Sequence, residues 1–162
     1  MGTLKEDIKA QSDWIVKGFK SDGMNLDYSI KSFIQIDIFF EKHSKNGKPI
    51  SGGRLSKNLG NIIFSIGGYI GETFIENVQG TEWITDDNDP QGEIKAAIKF
   101  PDGTTIWPMQ RAMNRFKNGF EDSIYPYGYE LTKNYINEPF DQNFWTINSE
   151  QKESKKPWWK IW

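Results

Sequence analysis

Glu72 is the residue of this chain best placed to do chemistry. It directly follows the run Gly67-Gly68-Tyr69-Ile70-Gly71, inside a segment apolar enough to be buried. A buried carboxylate must be paired or protonated. If it faces a cleft, it can act as a general base, with Tyr69 and an arginine beside it. The competing role is a structural ion pair with Arg54, Arg111 or Arg115. His43 is the single histidine. A catalytic triad would need a serine and an acid converging on it, and the chain has no nucleophile elbow. His43 therefore reads as a solvated helix end, where an imidazolium favours the C-terminal dipole.

Asp86, Asp87, Asp89 and Glu93 raise the question of calcium. Asp87, Asp89, Gln91 and Gly92 fit the first half of an EF-hand loop, but Ile98 falls where the bidentate glutamate is required. The cluster reads as a hydrated turn whose acids Asp86, Asp87 and Asp89 offer a surface to a basic partner. Tyr125, Tyr127, Tyr129 and Tyr135 would line a pocket or form the half-buried seam of a short helix. The second suits an apolar ring with a wet hydroxyl. At the C-terminus, Lys155, Lys156, Trp158, Trp159, Lys160 and Trp162 mix charge with aromatic surface. That mix suits a protein partner better than firm membrane binding, for which the segment is short. No phosphate-binding glycine loop exists: GNIIFSIGGYIG has the wrong spacing and lies within a helical pattern. Ser51 to Arg54 has the Gly-Gly of an anion nest and nothing further to support it.

The elements that must position these residues follow from periodicity. Residues 4–20 carry Leu4, Ile8, Ile15 and Phe19 near helical spacing, closed by Asp22-Gly23. Residues 26–43 alternate in part like a strand, but their length without glycine or proline predicts a helix, capped by Asn25. Residues 44–53 are a loop. Residues 55–79 predict a central buried helix, apolar nearly all round. Its interior glycines each cost about 1 kcal/mol relative to alanine, so Gly60, Gly67 and Gly71 imply a close neighbour along one stripe. Residues 81–85, 93–100 and 104–107 predict a three-stranded antiparallel meander. Pro108 opens a helix over 109–117. Asp122 caps a last one over 123–135.

The chain has 162 residues, enough for one domain with its own core. We expect a single α+β domain over 1–150, followed by a basic-aromatic tail over 151–162. Cysteine is absent, which removes disulfides, thiolate metal sites and cysteine nucleophiles. The opening MGTLKEDIKAQSDW is charged and lacks an apolar core, so no signal peptide is expected. With no apolar run of about 18 residues either, the chain reads as cytoplasmic. Net charge is −2, from 20 basic and 22 acidic residues mixed along the sequence. Such mixing gives no footprint for nucleic acid.

The run Gly68-Tyr69-Ile70-Gly71-Glu72, followed by Asn77, Gly80 and Trp83, resembles the GAYLGE…N.GG.W core of an uncharacterised bacterial family, the domain of unknown function numbered 3806. Asn118-Gly119 and Asp122-Ser123-Ile124-Tyr125 resemble its NG..DSL segment. The likeness spans residues 26–133. It implies a small α+β cytoplasmic domain and brings no activity with it. Domains of this size and look also serve as immunity partners of bacterial toxins, an analogy only.

The expected fold is α+β: N-terminal helices and a central glycine-rich helix on a three-stranded antiparallel sheet, then C-terminal helices. The expected function is a non-catalytic, cytoplasmic protein-binding module of immunity or antitoxin type, acting by occlusion. Its binding residues would come from Tyr69, Glu72, Asp86, Asp87, Asp89, Trp158, Trp159 and Trp162. No cofactor, metal, nucleic acid or stable membrane association is expected. The alternative is a small-ligand-binding protein or enzyme using Glu72 in a cleft. The identity of the partner and the oligomeric state are not written in the residues.

Overall fold

A computed structural model describes residues 2–147. Trp158, Trp159 and Trp162, with the rest of the expected tail, lie outside the described residues. The fold is α+β and mostly helical, with six α-helices, a two-stranded hairpin and a three-stranded antiparallel sheet among the described residues.

Helix α1 (Leu4–Ser21) starts where the Thr3 hydroxyl accepts the amide of Glu6, with Glu6 and Asp7 in its first turn. Both features satisfy the exposed amides and positive pole of a helix start. Ile8, Ser12, Ile15 and Phe19 form its buried stripe. Helix α2 (Phe33–His43) follows a short 3-10 turn over Ile30–Ser32. The choice of helix over strand holds, but the helix does not begin near residue 26. Asp27 turns the chain by accepting the amide and hydroxyl of Ser29. Ser29, not Asn25, then caps the 3-10 turn by accepting the amide of Ser32.

After α2 a hairpin of β1 (Ser44–Lys45) and β2 (Lys48–Pro49) turns through Asn46 and Gly47, both at positive φ. Asn-Gly with this backbone is the preferred two-residue hairpin turn. Residues 50–58 cross back as a strap, including a 3-10 turn at Arg54–Ser56. They deliver helix α3 (Leu59–Asn77), shorter at both ends than the expected 55–79.

Helix α3 is the central element. A β-carbon at Gly68 would stand 3.2 Å from Ile8 of α1. One at Gly67 would stand 2.6 Å from the backbone of Met109, and one at Gly71 would overlap the indole of Trp83. The glycines thus admit three neighbours in three directions instead of one along a stripe. Gly60 has nothing within 4 Å and plays no such part.

The sheet runs β3 (Glu82–Ile84), β4 (Ala97–Lys99), β5 (Thr105–Ile106), each pair antiparallel. Trp83, Ile98 and Ile106 form its buried row. The strand expected over 93–100 is confined to 97–99. Residues 92–95 instead wind into one turn, α4 (Gly92–Lys95), because Gly92 packs against the carbonyl of Asp86 where the acidic turn folds back. Helix α5 (Pro108–Asn118) has proline in its first turn. Helix α6 (Ile124–Thr132) ends before the expected 135.

Asp122 does not cap α6. The cap comes from α2: the two carboxylate oxygens of Asp37 accept the amides of Ile124 and Tyr125 at 2.9 and 2.8 Å. Arg115 Nε of α5 donates to the same carboxylate at 2.9 Å, and both side chains are fully buried. Burial pushes the Asp37 carboxyl up, while Arg115 and the two amides pull it down. One carboxylate therefore ties three helices together.

Candidate functional site

A cleft of about 630 Å³ lies between α1, the end of α2 and the strap. Helix α1 supplies Trp14, Ile15, Gly18 and Phe19. Ile15 and Phe19 belong to the stripe that packs inward, while Trp14 sits at its margin and keeps 45% of its surface exposed. Gly18 has no atom within 4 Å of its β-carbon position, so that face of the helix is bare. Helix α2 contributes Phe39 and His43 from its last turn, and α3 contributes Ile62. The opposite wall is the strap itself, through Gly52, Gly53, Arg54, Ser56, Lys57 and Asn58.

The strap is fastened by a short polar relay. The amide of Ile50 donates to the carbonyl of His43 at 2.9 Å. The amide of Arg54 donates to Nδ1 of His43 at 3.1 Å. The Arg54 side chain then reaches the C-terminal cap of α1, where Nε and Nη2 both donate to the carboxylate of Asp22. This two-pronged geometry is the strong form of a guanidinium-carboxylate pair. Those hydrogen bonds hold the Asp22 carboxyl below its ordinary range.

His43 is not the solvated helix end its sequence position suggests. Its ring lies against Phe39, with centroids 4.7 Å apart, and Nδ1 is engaged as an acceptor. A neutral imidazole that accepts at Nδ1 carries its proton on Nε2. Burial pushes the His43 pKa down, helped by the ammonium of Lys42 and the guanidinium of Arg54 and opposed by Asp22.

The residues singled out in the sequence fall elsewhere. Glu72 has a side chain 17% exposed. It meets none of the three arginines: Trp83 Nε1 donates to it at 2.9 Å, and the Lys9 ammonium lies 3.9 Å away. Arg54 and Arg115 have the partners given above, and Arg111 stacks its guanidinium 4.1 Å over the Tyr127 ring. Tyr69 is fully buried; its hydroxyl meets Ser32 Oγ at 2.6 Å and accepts the amide of Tyr28 at 2.8 Å. Asp87 accepts the amide of Leu4 at the start of α1. Asp86 and Asp89 accept amides within their own turn, and Asp89 also lies 3.5 Å from Lys95 Nζ. The structure brings Tyr69 and Glu72 onto one helix, α3, whereas Asp86, Asp87 and Asp89 belong to the turn before α4.

Sequence reading missed Trp14, Asp22 and Arg54 as members of one site and His43 as its fastening. The Asn46-Gly47 turn was the available signal, since it returns the chain to the end of α2. The Asp22 partnership spans 32 positions and leaves no trace in local pattern.

Among the described residues no group of three or more His, Asp or Glu side chains is arranged to hold a metal ion. No described helix is long and apolar enough to cross a membrane. The chain matches no protein-family model, no curated protein and no solved structure.

Proposed function

We propose that this protein is a non-catalytic binding module, and that it takes a protein partner through the cleft between α1 and the strap. The observation that carries the reading is Trp14: a half-exposed indole at the margin of an apolar cleft, across from the Arg54 and Lys57 side chains. Tryptophan and arginine around a desolvated pocket are the side chains on which binding energy concentrates. The titratable groups of the cleft support binding over proton transfer. His43 Nδ1 accepts from the strap and Asp22 is held by Arg54, so both serve as walls.

A partner acting through this cleft would be blocked sterically, as in the immunity-type reading. The run that resembles the domain of unknown function 3806 supports a likeness of fold at most. Gly68 and Gly71 admit neighbours, Glu72 holds Trp83, and Asn77 donates to the carbonyl of Tyr28. A second reading, a small amphipathic ligand in the same cleft, is favoured by a volume within the usual range for such sites, roughly 300–1,000 Å³.

Affinity capture from the native host, followed by mass spectrometry, separates the two. A stoichiometric protein retained by the parent chain and lost by Trp14→Ala supports the leading reading. No protein, with a small molecule co-purifying in a Trp14-dependent way, favours the second. Neither result would remove both.

A further inference from the structure

We infer that residues 52–54 of the strap form an acid-released rim of the cleft, with His43 as its catch. The inference rests on the cleft being the binding surface, and it adds a means of regulating that surface. The geometry is specific. The amide of Arg54 points at Nδ1 of His43, an interaction that only the unprotonated nitrogen can make. A proton on Nδ1 would set one N–H against another, and the strap would have to withdraw.

The charges facing His43 favour that withdrawal. Lys42 stands beside it on α2, Arg54 faces it from the strap, and Asp22 faces it from the end of α1. Asp22 is the only one that attracts an imidazolium, and both of its oxygens are engaged by Arg54. An imidazolium between Lys42 and Arg54 therefore weakens the strap's second anchor as well as its first. The Ile50 amide, which donates to the His43 carbonyl, is indifferent to the ring's charge. The catch thus releases Gly52 to Arg54, while Leu55, fully buried in the core, and the hairpin stay seated. Burial places the transition below the ordinary histidine range. Acidification would then loosen the Gly52–Arg54 rim of the cleft without unfolding the domain.

Amide hydrogen exchange by NMR, corrected for intrinsic pH dependence, tests this on the unliganded full chain. The Arg54 amide should lose about fivefold in protection across the titration of His43, as a hydrogen bond of about 1 kcal/mol implies. Ile50 should be unchanged. His43→Asn keeps an acceptor that does not titrate, so Arg54 protection should stay flat with pH. His43→Phe removes the acceptor, so protection should be low throughout. A flat Arg54 profile in the parent chain, or a parallel loss in His43→Asn, overturns the inference. So does loss of Arg54 protection only together with Ile50. Because no ligand is used, any of these results leaves the binding proposal standing, and failure to find a partner leaves the catch standing.

Discussion

The indole of Trp83 occupies the space that a β-carbon on residue 71 would take. Its Nε1 is fixed by Glu72, the next residue on the same helix, so the ring cannot slide aside without breaking that hydrogen bond. Gly71 and Glu72 together make a seat for one side chain of β3.

Gly71→Ala should therefore destabilise the fold. Overpacking a tight site costs about 1–3 kcal/mol, which outweighs the ~1 kcal/mol that alanine contributes to a helix interior. Urea denaturation should show a lower midpoint. Gly18→Ala is the control: its β-carbon meets nothing within 4 Å, and it should raise the midpoint, with stability higher by up to about 1 kcal/mol.

Asp37→Ala should be among the most damaging single changes. It takes from the buried Arg115 its nearest partner, leaving Glu41 at 3.3 Å as its carboxylate, and strips the cap from α6. Breaking a buried pair from one side costs about 3–5 kcal/mol. Adding Arg115→Met removes the under-paired buried charge, and thermal unfolding of the double variant should recover part of the loss.

Tyr69→Phe should lower stability and spare binding. It removes the hydroxyl that accepts the Tyr28 amide and meets Ser32. An unpaired buried donor costs about 1–3 kcal/mol. Equal partner capture by the parent and the variant, with a lower unfolding midpoint for the variant, checks both halves.

Stability should fall on mild acidification, and His43 should account for it. Its pKa in the fold lies below 6.5, the ordinary value. Between those two values the unfolded chain binds more protons than the native one, so stability rises with pH. The contribution is complete above 6.5 and is lost as pH falls through the native value. Since the chain has one histidine, His43→Asn should flatten the difference in urea midpoint between about pH 7.5 and about pH 5.5, either side of that reference value.

The sequence was most readable where physics is local. Helix α1 announces itself through a spaced apolar stripe closed by Asp22-Gly23; α5 does so through Pro108. Gly67 and Gly71 of α3 announced close neighbours and Gly60 did so falsely, and only packing shows that Gly67, Gly68 and Gly71 serve different ones. Alternation misled at residues 93–95, where Ile94 is the single apolar side chain and a turn this short displays no period of its own. Asp37 stood inside the alternating Ile34-Gln35-Ile36-Asp37-Ile38 with no visible partner, because Arg115 lies 78 positions away. The cleft was unreadable for the same reason: α1, α2 and the strap meet only in three dimensions.

The central claim is that the partner binds in the cleft, and blocking the cleft tests it most directly. Gly18→Trp places a bulky side chain on its bare wall, where a β-carbon meets nothing within 4 Å. Quantitative capture from the native host should compare the parent chain, Gly18→Trp and Glu72→Gln, each first shown to unfold at a normal midpoint. The account predicts a stoichiometric protein partner held by the parent and by Glu72→Gln and lost by Gly18→Trp. Retention by Gly18→Trp with loss in Glu72→Gln would contradict it and move the site to α3.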